Sequence, residues 1–168
     1  MREKVLRRFL LADPFADQVI KEIGQAGGLY HRLILLVGPA GSGKTKALQE
    51  VHNRQGVPLI NVNLELTQRM LDLTGKQRAL QVPKLLGDII DKVDGDIVLL
   101  DNIEILFDIL LKLDPLRLLQ NISRLKTIVA AWNGSIDKKQ ITYAIPDHPE
   151  YRRYPIRDFL VVTLEAKT

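Results

Sequence analysis

The sequence predicts an α/β protein, a three-layer sandwich built on a five-stranded parallel sheet. Five short β-rich runs cover residues 33–37, 58–63, 96–100, 127–132 and 158–164, and most are continuously apolar rather than alternating. That pattern suits strands covered on both faces. Stretches with helical period lie between the runs, and the alternation of strand and helix calls for right-handed crossovers. A glycine-rich octapeptide follows the first run directly, at the point where strand gives way to helix.

Taken in order, residues 3–11 and 14–23 read as two helical pieces broken at Asp13-Pro14, where aspartate caps and proline occupies the first turn. Residues 1–29 form an expected helical extension, and residues 30–168 the core of a single domain. The octapeptide opens a helix over 44–54 that Gly56 ends. Helical patterns over 64–73 and 83–93 fill the next connection; in the second, Leu85, Leu86, Ile89, Ile90 and Val93 share a face and Gly95 supplies the stop. Between Ile103 and Leu113 apolar side chains fall nearly all round a helix, which fits either deep burial or an interface with a partner.

Composition narrows the classes. The chain has 168 residues, long enough for one sizeable core, and no cysteine, which excludes disulfides and thiolate metal sites. No run is long and apolar enough to cross a bilayer, and Met1-Arg2-Glu3-Lys4 opens no signal peptide, so a soluble cytoplasmic protein with no membrane partner is expected. The formal charge is +4, but the basic pairs Arg7-Arg8, Lys138-Lys139 and Arg152-Arg153 are scattered among acidic and apolar residues. DNA contact is compatible with this distribution, yet no groove-reading motif supports it.

The octapeptide is Gly38-Pro39-Ala40-Gly41-Ser42-Gly43-Lys44-Thr45. A strand that ends in glycines and turns into a helix leaves backbone N–H groups free to cradle an anion at the positive end of the helix. Gly38, Gly41 and Gly43 permit conformations and close approaches that a Cβ blocks; Lys44 reaches the outer phosphates, and the Thr45 hydroxyl takes a place on Mg²⁺. This is the Walker A pattern in full, and it predicts binding of a nucleoside triphosphate.

The run 96–101 is apolar and ends in Asp101, the Walker B form, whose carboxylate would hold Mg²⁺ next to Thr45. Glu104 stands three residues on, where a carboxylate can polarise an attacking water. Asp101-x-x-Glu104 is also the pattern of a helix capping box. Asn133, at the end of the 127–132 run, would reach the γ-phosphate if that run lies beside the strand before the octapeptide; Asn133-Gly134 is alternatively a plain turn. Arg152 and Arg153 precede the last strand, and an arginine donated to a neighbour's nucleotide would stabilise charge in phosphoryl transfer, although surface arginines in loops are common.

Together Gly38 to Thr45, the strand ending Leu99-Leu100-Asp101 with Glu104, Ala131-Trp132-Asn133 and the arginines resemble the core of AAA+ ATPases, over residues from about 30 to the C-terminus. The resemblance implies ATP and Mg²⁺ as ligands, Asn133 as sensor 1, Arg152 or Arg153 as a finger acting on the next protomer, and a homo-oligomer. It departs from the family in two places: Asn102 follows Asp101 where the family has glutamate, and the chain stops after the fifth strand without the helical lid. Leu100-Asp101-Asn102-Ile103-Glu104-Ile105-Leu106-Phe107, with the size and lidless core, further resembles the small P-loop proteins of BREX phage-defence systems, which implies other defence proteins as partners. Three activities follow: an ATP-hydrolysing subunit, a non-hydrolysing nucleotide switch or scaffold, and a small-molecule kinase with residues 135–155 as its acceptor lid.

Overall fold

A computed structural model describes residues 13–164. The sheet contains strands β1 (Leu33–Gly38), β2 (Leu59–Asn61), β3 (Ile97–Asp101), β4 (Thr127–Asp137), β5 (Gln140–Tyr143), β6 (Arg152–Pro155) and β7 (Leu160–Thr163). Helices are α1 (Pro14–Ala26), α2 (Lys44–Gln55), α3 (Val62–Met70), α4 (Gly75–Lys92) and α5 (Pro115–Ile122). Five strands run parallel, as the apolar runs predict, and their order is β2-β3-β4-β1-β7.

All six residues of β1 are buried, and their side chains alternate between two cores. Leu33, Leu35 and Val37 join the larger core with Leu66, Leu86 and Phe107, while Ile34 and Leu36 pack with Val19, Leu48 and Val51 on the other face. Period-two alternation with both faces apolar is what makes the strand read as one continuous hydrophobic run. Helices α1 and α2 therefore cover one face, and α3, α4 and α5 the other.

Several local signals act as expected. Asp13 caps α1 through Phe15 N–H at 2.9 Å, with Pro14 in the first turn. Gly56 ends α2 at φ 66°, a left-handed position that a Cβ strains. The helical piece expected over 3–11 lies outside the described residues.

Three regions differ from the sequence expectation. Helix α4 starts at Gly75, not at residue 83, because Thr74 and Gln77 form a reciprocal capping box and Pro83 is carried inside the helix. Its C-terminus is closed by Lys126, whose Nζ donates to the carbonyls of Ile90 at 2.9 Å and Val93 at 2.6 Å.

Residues 103–113 form no continuous helix but two short 3₁₀ turns, Glu104–Phe107 and Ile109–Leu111. Asp108 breaks the run with ψ 120° and caps the second turn through Leu110 N–H, and Lys112 ends it at φ 52°. The apolar residues split accordingly: Ile103, Leu106, Phe107 and Leu111 are buried, while Ile109 and Leu110 are exposed.

The third difference is a β-hairpin. Strand β4 continues past Trp132 for five more residues, and residues 134–137 pair antiparallel with β5, which pairs with β6. Asn133-Gly134 is thus strand and not turn, and the segment 135–155 holds β5 and β6 where the kinase alternative requires a lid. Gly134 is obligatory there: a Cβ would lie 1.7 Å from the Thr142 carbonyl oxygen.

Candidate nucleotide-binding site

Where β1 ends, the chain turns through Gly41 at φ 77° and Gly43 at φ 101° into α2. Both values lie in the region that L side chains rarely adopt, so the glycines are needed for the turn itself. Gly38 answers a different requirement, since a Cβ would meet Ser42 Oγ at 2.5 Å. No side chain caps the first turn of α2, which leaves its N-terminal N–H groups and the positive end of its dipole directed at the loop.

A cavity of about 510 Å³ opens against this loop. Ala40, Gly41, Gly43, Lys44 and Thr45 line one side, and Asp101, Asn102, Glu104 and Asn133 the other. Pro39 and Ser42 stay behind the lining: the Pro39 carbonyl accepts from Lys44 Nζ at 2.7 Å, the Gly38 carbonyl at 2.8 Å, and Ser42 Oγ lies 3.4 Å from the same nitrogen. Burial lowers the Lys44 pKa, and the Glu104 and Asp101 carboxylates oppose that shift. A phosphate oxygen would compete with two neutral carbonyls for this ammonium, and a charge-assisted bond is the stronger partner.

Thr45 Oγ1 donates to Asp101 Oδ2 at 2.8 Å, so the hydroxyl at the start of α2 and the carboxylate at the end of β3 already share one point. Asp101 is mostly buried, and its second oxygen accepts from Asn102 N–H at 2.9 Å. Among the described residues no three of histidine, cysteine, aspartate and glutamate cluster as metal ligands. The donor set is one hydroxyl and one carboxylate, which fits Mg²⁺, a cation held by one or two protein oxygens with phosphate and water completing its octahedron. Thr45 and Asp101 would hold it, and it would supply neutralisation of phosphate charge.

Strand β4 lies beside β1, with Gly38 opposite Asn133 in register. Asn133 Nδ2 donates to Glu104 Oε1 at 2.7 Å, so the two polar residues meet across the cavity from the loop. Glu104 caps nothing: the 3₁₀ turn it begins has Ile103 at its cap position and no side-chain cap bond. Asn102 adopts φ 53° and its carbonyl accepts from Asn63 N–H at 3.0 Å. Asparagine tolerates that left-handed conformation better than glutamate does.

Arg152 and Arg153 stand on β6 and do not line the cavity. Arg152 Nη2 donates to the Leu113 carbonyl at 3.0 Å, whereas Arg153 is exposed and bonds Gln140 through its Nε. Lys46 and Gln49 also line the cavity, and the sequence offers a signal for one of them: Gln49 stands four residues after Thr45, on the same helix face. Tyr143 had no sequence signal. Burial, and then the Glu104 carboxylate, hold its phenol well above the usual value.

A parallel sheet in the order β2-β3-β4-β1-β7, with a phosphate-binding loop leaving β1 and an aspartate ending β3, defines the core of a P-loop nucleotide-binding protein. No helix among the described residues is long and apolar enough to cross a membrane. The model of the family described as "ATPase family associated with various cellular activities (AAA)" matches residues 34–110, from β1 through the second 3₁₀ turn. This span includes Walker A, Asp101 and Glu104 but not Asn133 or the arginines.

Among solved structures, PCH-2 from C. elegans is similar at 22% identity with a TM-score of 0.41, covering 74% of this chain and 36% of that one. The Drosophila ORC bound to DNA is similar at 19% identity with a TM-score of 0.42, covering 96% and 45%. The chain thus spans less than half the length of either. No curated protein sequence matches it.

Proposed function

We propose that this chain binds Mg·ATP and hydrolyses it as one subunit of an oligomer. The observation that carries the proposal is the hydrogen bond of 2.7 Å between Asn133 and Glu104, in the same cavity as the Thr45–Asp101 pair. The loop amides and Lys44 bind the phosphates. Glu104 accepts a proton from the attacking water, and Asn133 orients that carboxylate while standing in register with the end of β1. Arg153, exposed on β6, is the arginine offered to a neighbouring subunit's nucleotide; Arg152 is held against its own chain.

The test is ATP turnover per subunit across a wide protein concentration range, with Mg·ATP affinity measured separately. The expected result is a rate that climbs cooperatively with concentration, a Glu104→Gln variant that binds but turns over about a hundredfold more slowly, and a Lys44→Ala variant that fails to bind. A wild type that binds Mg·ATP yet shows no turnover at any concentration, alone or with partners, leaves the second function: a nucleotide-gated scaffold. Asn102 favours this alternative, because the residue after Asp101 carries no carboxylate.

The setting we propose is bacterial phage defence beside other defence proteins, and its support is the resemblance of residues 100–107 and of the compact core to small BREX P-loop proteins. Deletion of the gene from a host carrying such a system, with phage plating unchanged, overturns that assignment.

A further inference from the structure

Glu104 begins a 3₁₀ turn that ends at Phe107. In such a turn side chains three residues apart lie one above the other, so the position of Phe107 dictates that of Glu104. Phe107 is 1% exposed and its ring stacks on Tyr143 with centroids 3.4 Å apart and planes within 7°. Trp132 closes the group from the side, edge-on to Phe107 at 5.1 Å and to Tyr143 at 5.8 Å.

The far side of Tyr143 leads to Asn133. Tyr143 pairs with Gly134 across the hairpin, and the next residue, Ala144, donates its N–H to the Asn133 carbonyl at 3.1 Å. Trp132 Nε1 donates to the Thr142 carbonyl at 2.9 Å, tying the residue before Asn133 to the one before Tyr143. Both partners of the Glu104–Asn133 hydrogen bond therefore meet at Tyr143: Glu104 through the Phe107 ring stacked on its side chain, Asn133 through the backbone pairing of its strand.

We propose that Tyr143 is a positioning residue for hydrolysis, acting through its ring on Phe107 to hold the Glu104 carboxylate at Asn133. This inference rests on the hydrolytic function proposed above. Tyr143 does not line the cavity. It sets the distance from which Glu104 acts on water, and a displacement near 1 Å at such a group costs about a hundredfold in rate.

The decisive experiment is a double-mutant cycle read on kcat, with Mg·ATP affinity measured by calorimetry. Tyr143→Leu removes the stack while leaving an apolar side chain in place, and Tyr143→Phe keeps the stack and removes only the hydroxyl. We expect Tyr143→Leu to lower kcat about tenfold or more with affinity within about twofold of wild type. Tyr143→Phe should stay close to wild type. In the Glu104→Gln background Tyr143→Leu should have no further effect, since there is no longer a base to misplace.

Multiplying effects in the double variant, equal losses in affinity and kcat, or a Tyr143→Phe enzyme as slow as Tyr143→Leu each overturn the proposal. If wild type shows no turnover, hydrolysis itself fails, and the positioning role is decided by a crystal structure of Tyr143→Leu. A Glu104–Asn133 bond unchanged there refutes it, and a bond lengthened beyond hydrogen-bonding reach upholds it.

Discussion

Replacing Gly134 by alanine drives a methyl group into the backbone of the opposite strand. The added Cβ would sit 1.7 Å from the Thr142 oxygen, 2.8 Å from its carbonyl carbon and 3.0 Å from Trp132 Nε1. Ordinary contact needs about twice the first of these distances. The obstacle is backbone on a paired strand, so no rotamer change relieves it, and β5 must move away from β4. That movement breaks the hydrogen bond from Trp132 to Thr142, worth about 1 kcal/mol. It also forces repacking around Phe107 and Tyr143, and overfilled cores lose about 1–3 kcal/mol.

The sum is a destabilisation of roughly 2–4 kcal/mol. In a chain of this size each kcal/mol shifts Tm by about 2–4 °C, so the variant should melt roughly 4–16 °C below wild type. Urea unfolding followed by far-ultraviolet circular dichroism measures the free-energy loss, and thermal unfolding measures the shift in Tm. Gly87→Ala is the matched control: nothing lies within 4 Å of its added Cβ, and Gly87 stands inside α4. There alanine should stabilise by about 0.5–1 kcal/mol. A Gly134→Ala protein within about 0.5 kcal/mol of wild type means that β4 and β5 are not held together as described.

Other outcomes are fixed by single features. Thr74→Ala removes half of the α4 capping box and should cost about 1 kcal/mol in urea unfolding. Asn102→Ala should destabilise the fold by about 1 kcal/mol, because alanine tolerates the left-handed φ of 53° less well than asparagine. Tyr154 is pushed up to about 12 by burial and then by the Asp114 carboxylate, to which its hydroxyl donates at 3.2 Å. Because the folded value lies above the unfolded one, its contribution is complete below pH of about 10 and is lost as pH rises through about 12. The stability difference between wild type and Tyr154→Phe should accordingly shrink across that window and stay flat below it.

The nucleotide end of the molecule was legible because its chemistry depends on local order. Glycines, lysine and threonine at fixed spacing after an apolar run specify the loop, while Asp101 and Asn133 come near it because the sheet sets β4 beside β1 and β3 beside β4. The hairpin was not legible. Its reversal falls at Lys138 and Lys139, with Lys138 at φ 56°, and neither residue signals a turn. The strong turn dipeptide Asn133-Gly134 lies in a strand, because its glycine answers a close backbone approach that only the folded pairing creates. Residues 103–113 misled for a related reason: apolar content says that a segment is buried, but Asp108 and Lys112 decide its path through backbone angles that composition does not reveal. Tyr143 comes near Glu104, whose carboxylate raises its pKa, across a sequence distance of 39 residues, a proximity set by topology alone.

The chain contains one tryptophan, and the fold puts it, fully shielded from solvent, immediately before Asn133 and against the rings of Phe107 and Tyr143. Its ultraviolet emission therefore comes from a single place and starts from the blue-shifted spectrum of an indole in a dry environment. Any rearrangement of Asn133 on nucleotide binding occurs one peptide bond from this fluorophore, and energy absorbed by Tyr143 arrives at it from less than 6 Å away. The native protein carries its own optical probe beside Asn133, readable in a stopped-flow cuvette without a label.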